Sequence, residues 1–288
     1  MSKRADAHLH FFAPGYVARL PESCRRVRPD EVTLYAALAQ QHDIAQVLAV
    51  GYEGQPWAAG NNRYLADLAA AHAWIRPLAF IHDPTGLNVA TLEQMAHDRF
   101  VGLSLYLFDQ PILVELGRVS DDVWGWLAER HWLISVNSRG EHWTAWAPIL
   151  ERHPNLRLLV SHLGLPPVAE RPPDQPSAQR ALEPVLALAR FPEARIKLSG
   201  FYALTTPGYD YPHRAAWPYV AALLAAFGAQ RLLWGSDFSP SLEWVSFPQT
   251  LGLLEQMPFL SDADRRRIEG ENLLALLAES SAAFLTEH

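Results

Sequence analysis

Cysteine appears once in this chain of 288 residues, lysine only twice, at Lys3 and Lys197, and methionine three times. One thiol, Cys24, can close no intrachain disulfide, so the fold must rest on its core, as expected in a reducing cytoplasm. That thiol sits among Arg25, Arg26 and Arg28, whose charge would lower its pKa, although a spectator thiol is the plainer reading. With lysine so scarce, positive charge falls to arginine, and the net charge is −7 with a pI near 5.9. That balance leaves no broad basic face for nucleic acid or an anionic membrane. No apolar run approaches the roughly 20 residues of a membrane span, and no signal-peptide pattern opens the chain. The expectation is a soluble cytoplasmic protein, monomer or homodimer, acting on a small molecule. Internal repeats, charge blocks and linkers are missing too, so residues 1–288 read as one domain.

What is present is alternation. Short apolar runs rich in β-branched residues fall at 4–10, 44–51, 74–82, 100–108, 131–137, 156–162, 194–201 and 231–237. Several are continuous rather than alternating, as parallel strands covered on both faces require. Between them the spacing predicts helices, including 30–41, 62–73, 121–130 behind Ser120 as N-cap, 217–227 and 262–277. Pro218 near the start and Gly228 past the end punctuate the fourth of these. Eight strand–helix units make a (β/α)₈ TIM barrel the economical architecture, and the length suits one such domain. The alternative, an open doubly wound sheet, lacks the G-x-G-x-x-G that should follow its first strand. A proline-rich stretch from Leu165 to Pro176 directly follows the sixth run, which would place it at the rim of a barrel mouth.

In such a barrel the C-terminal strand ends converge on one pocket. His8 and His10, two apart, point to one face at the end of the first strand. His162 ends the sixth and Asp237 the eighth. Each alone could be structural, but four titratable side chains at converging ends point to catalysis. Tyr52 beyond the second strand, Arg139 and His142 beyond the fifth, and Tyr211, His213 and Arg214 beyond the seventh are the candidate substrate contacts. Arginines there would grip carboxylates bidentately. Trp57, Trp143, Trp146 and Trp244 either line the pocket or pack on helix faces, the latter being the default for aromatics.

The runs Asp6-Ala7-His8-Leu9-His10, Ser161-His162-Leu163-Gly164, Lys197-Leu198-Ser199-Gly200 and Leu233-Trp234-Gly235-Ser236-Asp237 resemble the amidohydrolase superfamily. More narrowly they resemble the branch holding 2-pyrone-4,6-dicarboxylate lactonase and sugar lactonases. The resemblance extends to Gly270-Glu271-Asn272-Leu273-Leu274 near the end of the chain. It implies hydrolysis of a small carboxylated lactone, with Asp237 taking a proton from water and His8, His10 and His162 polarising the carbonyl. A mononuclear zinc decarboxylase of the same superfamily is the alternative, and a non-catalytic ligand-binding barrel the last.

The departures from the superfamily pattern bear on metal. Binuclear members use a modified lysine on strand four and a histidine on strand five, where this chain has Val101 to Tyr106 without Lys or Glu, and Asn137. A carboxamide is a poor zinc ligand. No cofactor is therefore expected. At most one weakly held zinc would sit on His8, His10 and Asp237, with His162 a further ligand. Relatives that bind the pyrone dicarboxylate would carry arginine near strand four, where Ser104 and Tyr106 stand here. If imidazoles supply the pull on the carbonyl, the rate is expected to follow their protonation near neutral pH.

Overall fold

All eight apolar runs form strands: β1 (Arg4–Leu9), β2 (Ile44–Val50), β3 (Ile75–Phe80), β4 (Gly102–Leu107), β5 (Leu133–Ser138), β6 (Arg157–Val160), β7 (Arg195–Leu198) and β8 (Leu232–Trp234). The computed structural model describes residues 3–22 and 30–285, so Cys24 and the arginines at 25, 26 and 28 lie outside it. Neighbours pair in parallel and in chain order. Leu9 bridges Phe238, Asp237 N–H donates to the His8 carbonyl at 2.8 Å, and His10 N–H to that of Phe238, closing the eighth strand onto the first. The architecture is the (β/α)₈ barrel that the alternation implied.

Most strands end earlier than their apolar runs. β6 stops at Val160 and β8 at Trp234, because His162 and Asp237 take positive φ angles of 51° and 52° that no strand accommodates. The runs continue apolar past the ladder because the turns at the barrel top are buried as well.

Helices cover the outside. Asp30 caps Glu31–Gln41 by accepting from the N–H groups of Val32 and Thr33. Trp217–Phe227 ends where Gly228 adopts a φ of 68°. Ser120 occupies the N-cap position of Asp121–Glu129 but makes no capping bond. Asp121 and Asp122 in the first turn supply the favourable charge there instead. The final helical stretch differs most from its reading. Asp262–Arg266 passes through a π-helical turn, Arg267–Glu271, into Asn272–Leu285. That last helix reaches the N-terminal strand ends: Asn272 Nδ2 donates to the carbonyls of Ala229 and Leu232, and Ser280 Oγ to that of His131. Its Leu273, Leu276 and Leu277 pack with Leu48, Leu78, Leu133, Leu159 and Leu233. The barrel floor is thus plugged with apolar side chains, leaving the opposite mouth for chemistry.

The proline-rich stretch is held against the loop after β7, with Ala169 N–H donating to Leu204 O at 2.9 Å and Thr206 N–H to Ala169 O at 3.2 Å. No helix of the described residues is long and apolar enough to cross a membrane.

Candidate active site

β1 delivers two imidazoles side by side: His8 Nε2 and His10 Nε2 stand 3.2 Å apart. From the other side of the closure Asp237 places Oδ1 3.7 Å from both nitrogens. The His162 ring lies 4.5 Å from that of His8, centre to centre. All four side chains are buried. Tyr202, unread in the sequence, donates its hydroxyl to Asp237 Oδ2 at 2.7 Å and stacks on Trp244. One carboxylate oxygen is anchored and the other faces the histidines.

The backbone is built around these groups. His162 and Asp237 hold left-handed conformations that cost about 1–3 kcal/mol each for a non-glycine residue and persist where the surroundings enforce them. Two glycines give the rings room. A Cβ on Gly235 would meet His8 Cβ at 2.7 Å, and one on Gly200, itself at φ 65°, would meet His162 Nδ1 at 2.4 Å. Beneath the site, Asp6 accepts from His8 N–H, Ser236 N–H, the Ser236 hydroxyl and Tyr35 OH, tying β1 to β8. Burial, only partly offset by those bonds, pushes its pKa up to about 6.

Hydrogen bonds fix the protons. The Val50 carbonyl can only accept, so the 2.8 Å contact puts a proton on His10 Nδ1. Burial lowers the His10 pKa to about 4, against the pull of Asp237, so at neutral pH its Nε2 is bare. The 3.2 Å contact then needs its donor on His8, at Nε2. Burial first, and the Lys197 charge next, hold His8 well below the ordinary imidazole range. His162 is lowered by burial, with Asp237 opposing, and its Nδ1 meets Ser199 Oγ at 3.0 Å. The sequence expectation that the histidines titrate near neutral pH is therefore corrected: desolvation keeps all three neutral there.

A cavity of about 630 Å³ opens above, lined by His10 with aromatic walls from Phe12, Tyr16, Tyr52, Trp57 and Tyr106 among others. No lysine or arginine is among its described lining residues. Asn137 pairs across from Tyr106 in the β4–β5 register. Of the candidate contacts, Tyr52 is on the wall. Arg139 is exposed with its guanidinium 5.8 Å from the Phe108 ring. His142 points Nδ1 at the Leu107 carbonyl, 3.2 Å away. Tyr211 and His213 line a different, water-sized space of about 20 Å³ behind Tyr202. His213 is tied there to Thr205 Oγ1 at 2.9 Å, and Arg214 lies over Trp217. These three are not brought to the mouth, because the loop after β7 folds back onto its own helix. Neither does the proline-rich stretch supply a lining residue. Trp57 is on the wall, whereas Trp143 and Trp146 are core.

His8, His162 and Asp237 bring ligand-type atoms within 4.8 Å of one another. The set read from sequence, His8, His10 and Asp237, is as close, with separations of 3.2, 3.7 and 3.7 Å, and His162, the further ligand read there, joins on its left-handed turn. Lys197, one of the two lysines, is fully buried inside the barrel, its Nζ 2.7 Å from Ser135 Oγ and 3.5 Å from His8 Nδ1. A lone lysine inside a strand of apolar neighbours was the signal available for it. Tyr202 had none.

Residues 5–277 match a protein-family model described as amidohydrolase. Among curated proteins, L-fucono-1,5-lactonase of Burkholderia ambifaria is 34% identical over 101 residues, which is 35% of this chain and 32% of that protein. The alignment thus spans about a third of that relative. An amidohydrolase of Burkholderia multivorans, 21% identical over 96% of this chain and 99% of that one, superposes with TM-scores of 0.79 with bound HEPES and 0.76 with bound zinc. A Pseudomonas putida protein described as a 2-pyrone-4,6-dicarboxylic acid hydrolase gives 0.71 at 24% identity, over 97% and 98% of the two chains. At such identities these structures speak to the fold.

Proposed function

The chain belongs to the amidohydrolase family, and from that premise we propose that it is a hydrolase opening a small lactone, with Asp237 as general base. The observation that carries this reading is the divided carboxylate: Oδ2 anchored by Tyr202 at 2.7 Å, Oδ1 free and 3.7 Å from two imidazole nitrogens. A base so held needs no reorganisation to take a proton from water. As it does, the water oxygen adds to the lactone carbonyl. The oxyanion accepts from His8 Nε2–H, which exchanges its 3.2 Å contact with His10 Nε2 for the substrate oxygen. His10, whose bare Nε2 can only accept, orients the water. The ring C–O bond then breaks, and protonated Asp237 returns its proton to the departing alkoxide.

Aromatic walls without a lysine or arginine favour a lactone held by stacking and hydroxyl contacts, as a sugar lactone would be, ahead of the pyrone dicarboxylate. The partial match to a fucono-lactonase supports the same preference. A substrate carboxylate would meet Arg139 at the rim.

A metal decarboxylase is the second reading, favoured by the His8–His162–Asp237 cluster and by zinc in a structural neighbour. The surroundings fit a resident divalent ion only in part: His10 donates its far N–H to the Val50 carbonyl as a ligand would, but His8 does not. Histidine ligands normally donate their far N–H to a carboxylate or carbonyl, yet behind His8 stands the Lys197 amino group. One Asp237 oxygen is committed to Tyr202, and Ser104 and Asn137 offer no second-site ligands. No step above therefore runs through a metal. A panel of sugar and aryl lactones, assayed before and after exhaustive chelator dialysis with elemental analysis, tests this reading. Hydrolysis that survives chelation with sub-stoichiometric zinc is expected. Activity lost on chelation and restored by zinc would move the decarboxylase ahead.

A further inference from the structure

We infer that Lys197 is a positioning residue that keeps His8 Nδ1 bare, holds the proton of His8 on Nε2, facing His10, and makes this histidine a poor metal ligand. Lys197 lies on β7 with no exposed surface, donates to Ser135 Oγ at 2.7 Å and holds Nζ 3.5 Å from His8 Nδ1. That second distance is at the outer limit of a hydrogen bond. The field of the amino group acts at that range regardless: a cation, or an N–H dipole, favours a lone pair on the facing nitrogen.

The same tautomer follows from the opposite end of the chain of contacts. The Val50 carbonyl fixes the proton on His10 Nδ1 at 2.8 Å, and bare His10 Nε2 then requires a proton on His8 Nε2 across 3.2 Å. Two partners, one on each side of His8, thus favour one arrangement. The groups around Lys197 are Ser135, with Ser161 Oγ 3.4 Å beyond it, the rings of His8 and His162, and the carboxylates of Asp6 and Asp237; burial lowers the amino group to about 7, with the two carboxylates opposing. None of the hydrogen bonds found at His8 supplies the acceptor that a metal-bound His8, protonated at Nδ1, would want behind it. The direction of the Nε2 proton toward a carbonyl rests on the lactonase reading; the tautomer does not.

The test begins with unaltered protein labelled with ¹⁵N-histidine, using long-range ¹⁵N–¹H correlation and assigning His8 by the signals missing from His8→Gln. His8 with a protonated Nε2 and a bare Nδ1 is expected, and a protonated Nδ1 overturns the inference. Lys197→Met, similar in length and uncharged, is expected to lose the single tautomer, bind zinc at least tenfold more tightly, and lower kcat at least tenfold with KM little changed. Zinc affinity equal in the two proteins also overturns it. Should the variant fail to fold, the spectrum of the unaltered protein still decides. If no lactone is turned over, the lactonase reading fails while the tautomer result stands.

Discussion

Asp237 is where several constraints meet. It is the carboxylate among the converging groups, its backbone is left-handed at φ 52°, its N–H is spent on the His8 carbonyl and one oxygen on Tyr202. Asp237→Asn keeps the shape and the Tyr202 contact but removes the basic lone pair at full charge. Turnover should fall by about 10²–10⁴-fold, the usual worth of a positioned base, while the melting temperature stays near that of the parent. Activity within about tenfold, a barrier change near 1.4 kcal/mol, would remove Asp237 from the role. Tyr202 acts through that residue, and its stacking on Trp244 explains how a half-buried loop phenol is held still enough to matter.

At the level of elements, the ends of β1, β6, β7 and β8 form one unit. β8 contributes only Leu232–Trp234, and its attachment to β1 runs through Ser236, Asp237 and Phe238 rather than a long ladder. β7 is followed by Ser199 and Gly200, and Gly200 has no side chain because the His162 ring fills that space. Gly200→Ala therefore combines a strained φ of 65° with a Cβ 2.4 Å from His162 Nδ1. A loss of about 1–3 kcal/mol in denaturant unfolding is expected, along with reduced kcat as His162 is displaced. Parent-like stability and rate in this variant would show that the ring has slack the packing does not suggest.

For the molecule as a whole, the buried histidines set an acid limit. Burial takes His10 and His213 down to about 4, and lowers His8 and His162 in the same direction. Their folded pKa values lie below the unfolded value of about 6.5, so the unfolded chain binds more protons as the medium is acidified. The stability they contribute is present above pH about 6.5 and is lost as the pH falls toward about 4. Melting temperatures measured from pH 7.5 to 4 should decline through that window, with protonation of Asp6, raised to about 6, offsetting part of the loss. Catalysis by neutral imidazoles should meanwhile stay level through pH 7. A flat melting profile from 6.5 to 4.5 would mean that these rings protonate without unfolding.

Periodicity and punctuation alone determined the eight strands, their parallel order, the main helices, and the arrival of His8, His10, His162 and Asp237 at one end of the barrel. A continuous apolar run can be buried on both faces in few ways, and strand-end residues of a closed barrel have one place to meet. Tertiary structure decided the rest. Whether Tyr211, His213 and Arg214 reach the mouth depended on how a long loop folds back, which no local pattern encodes. The π-helical turn at Arg267–Glu271, the anchoring by Tyr202 and the neutral state of the histidines arise from contacts distant in sequence and from desolvation. Lys197 was legible as an anomaly, a charge in an apolar strand. That it stands behind His8, 189 positions away in the chain, follows only from closing the barrel.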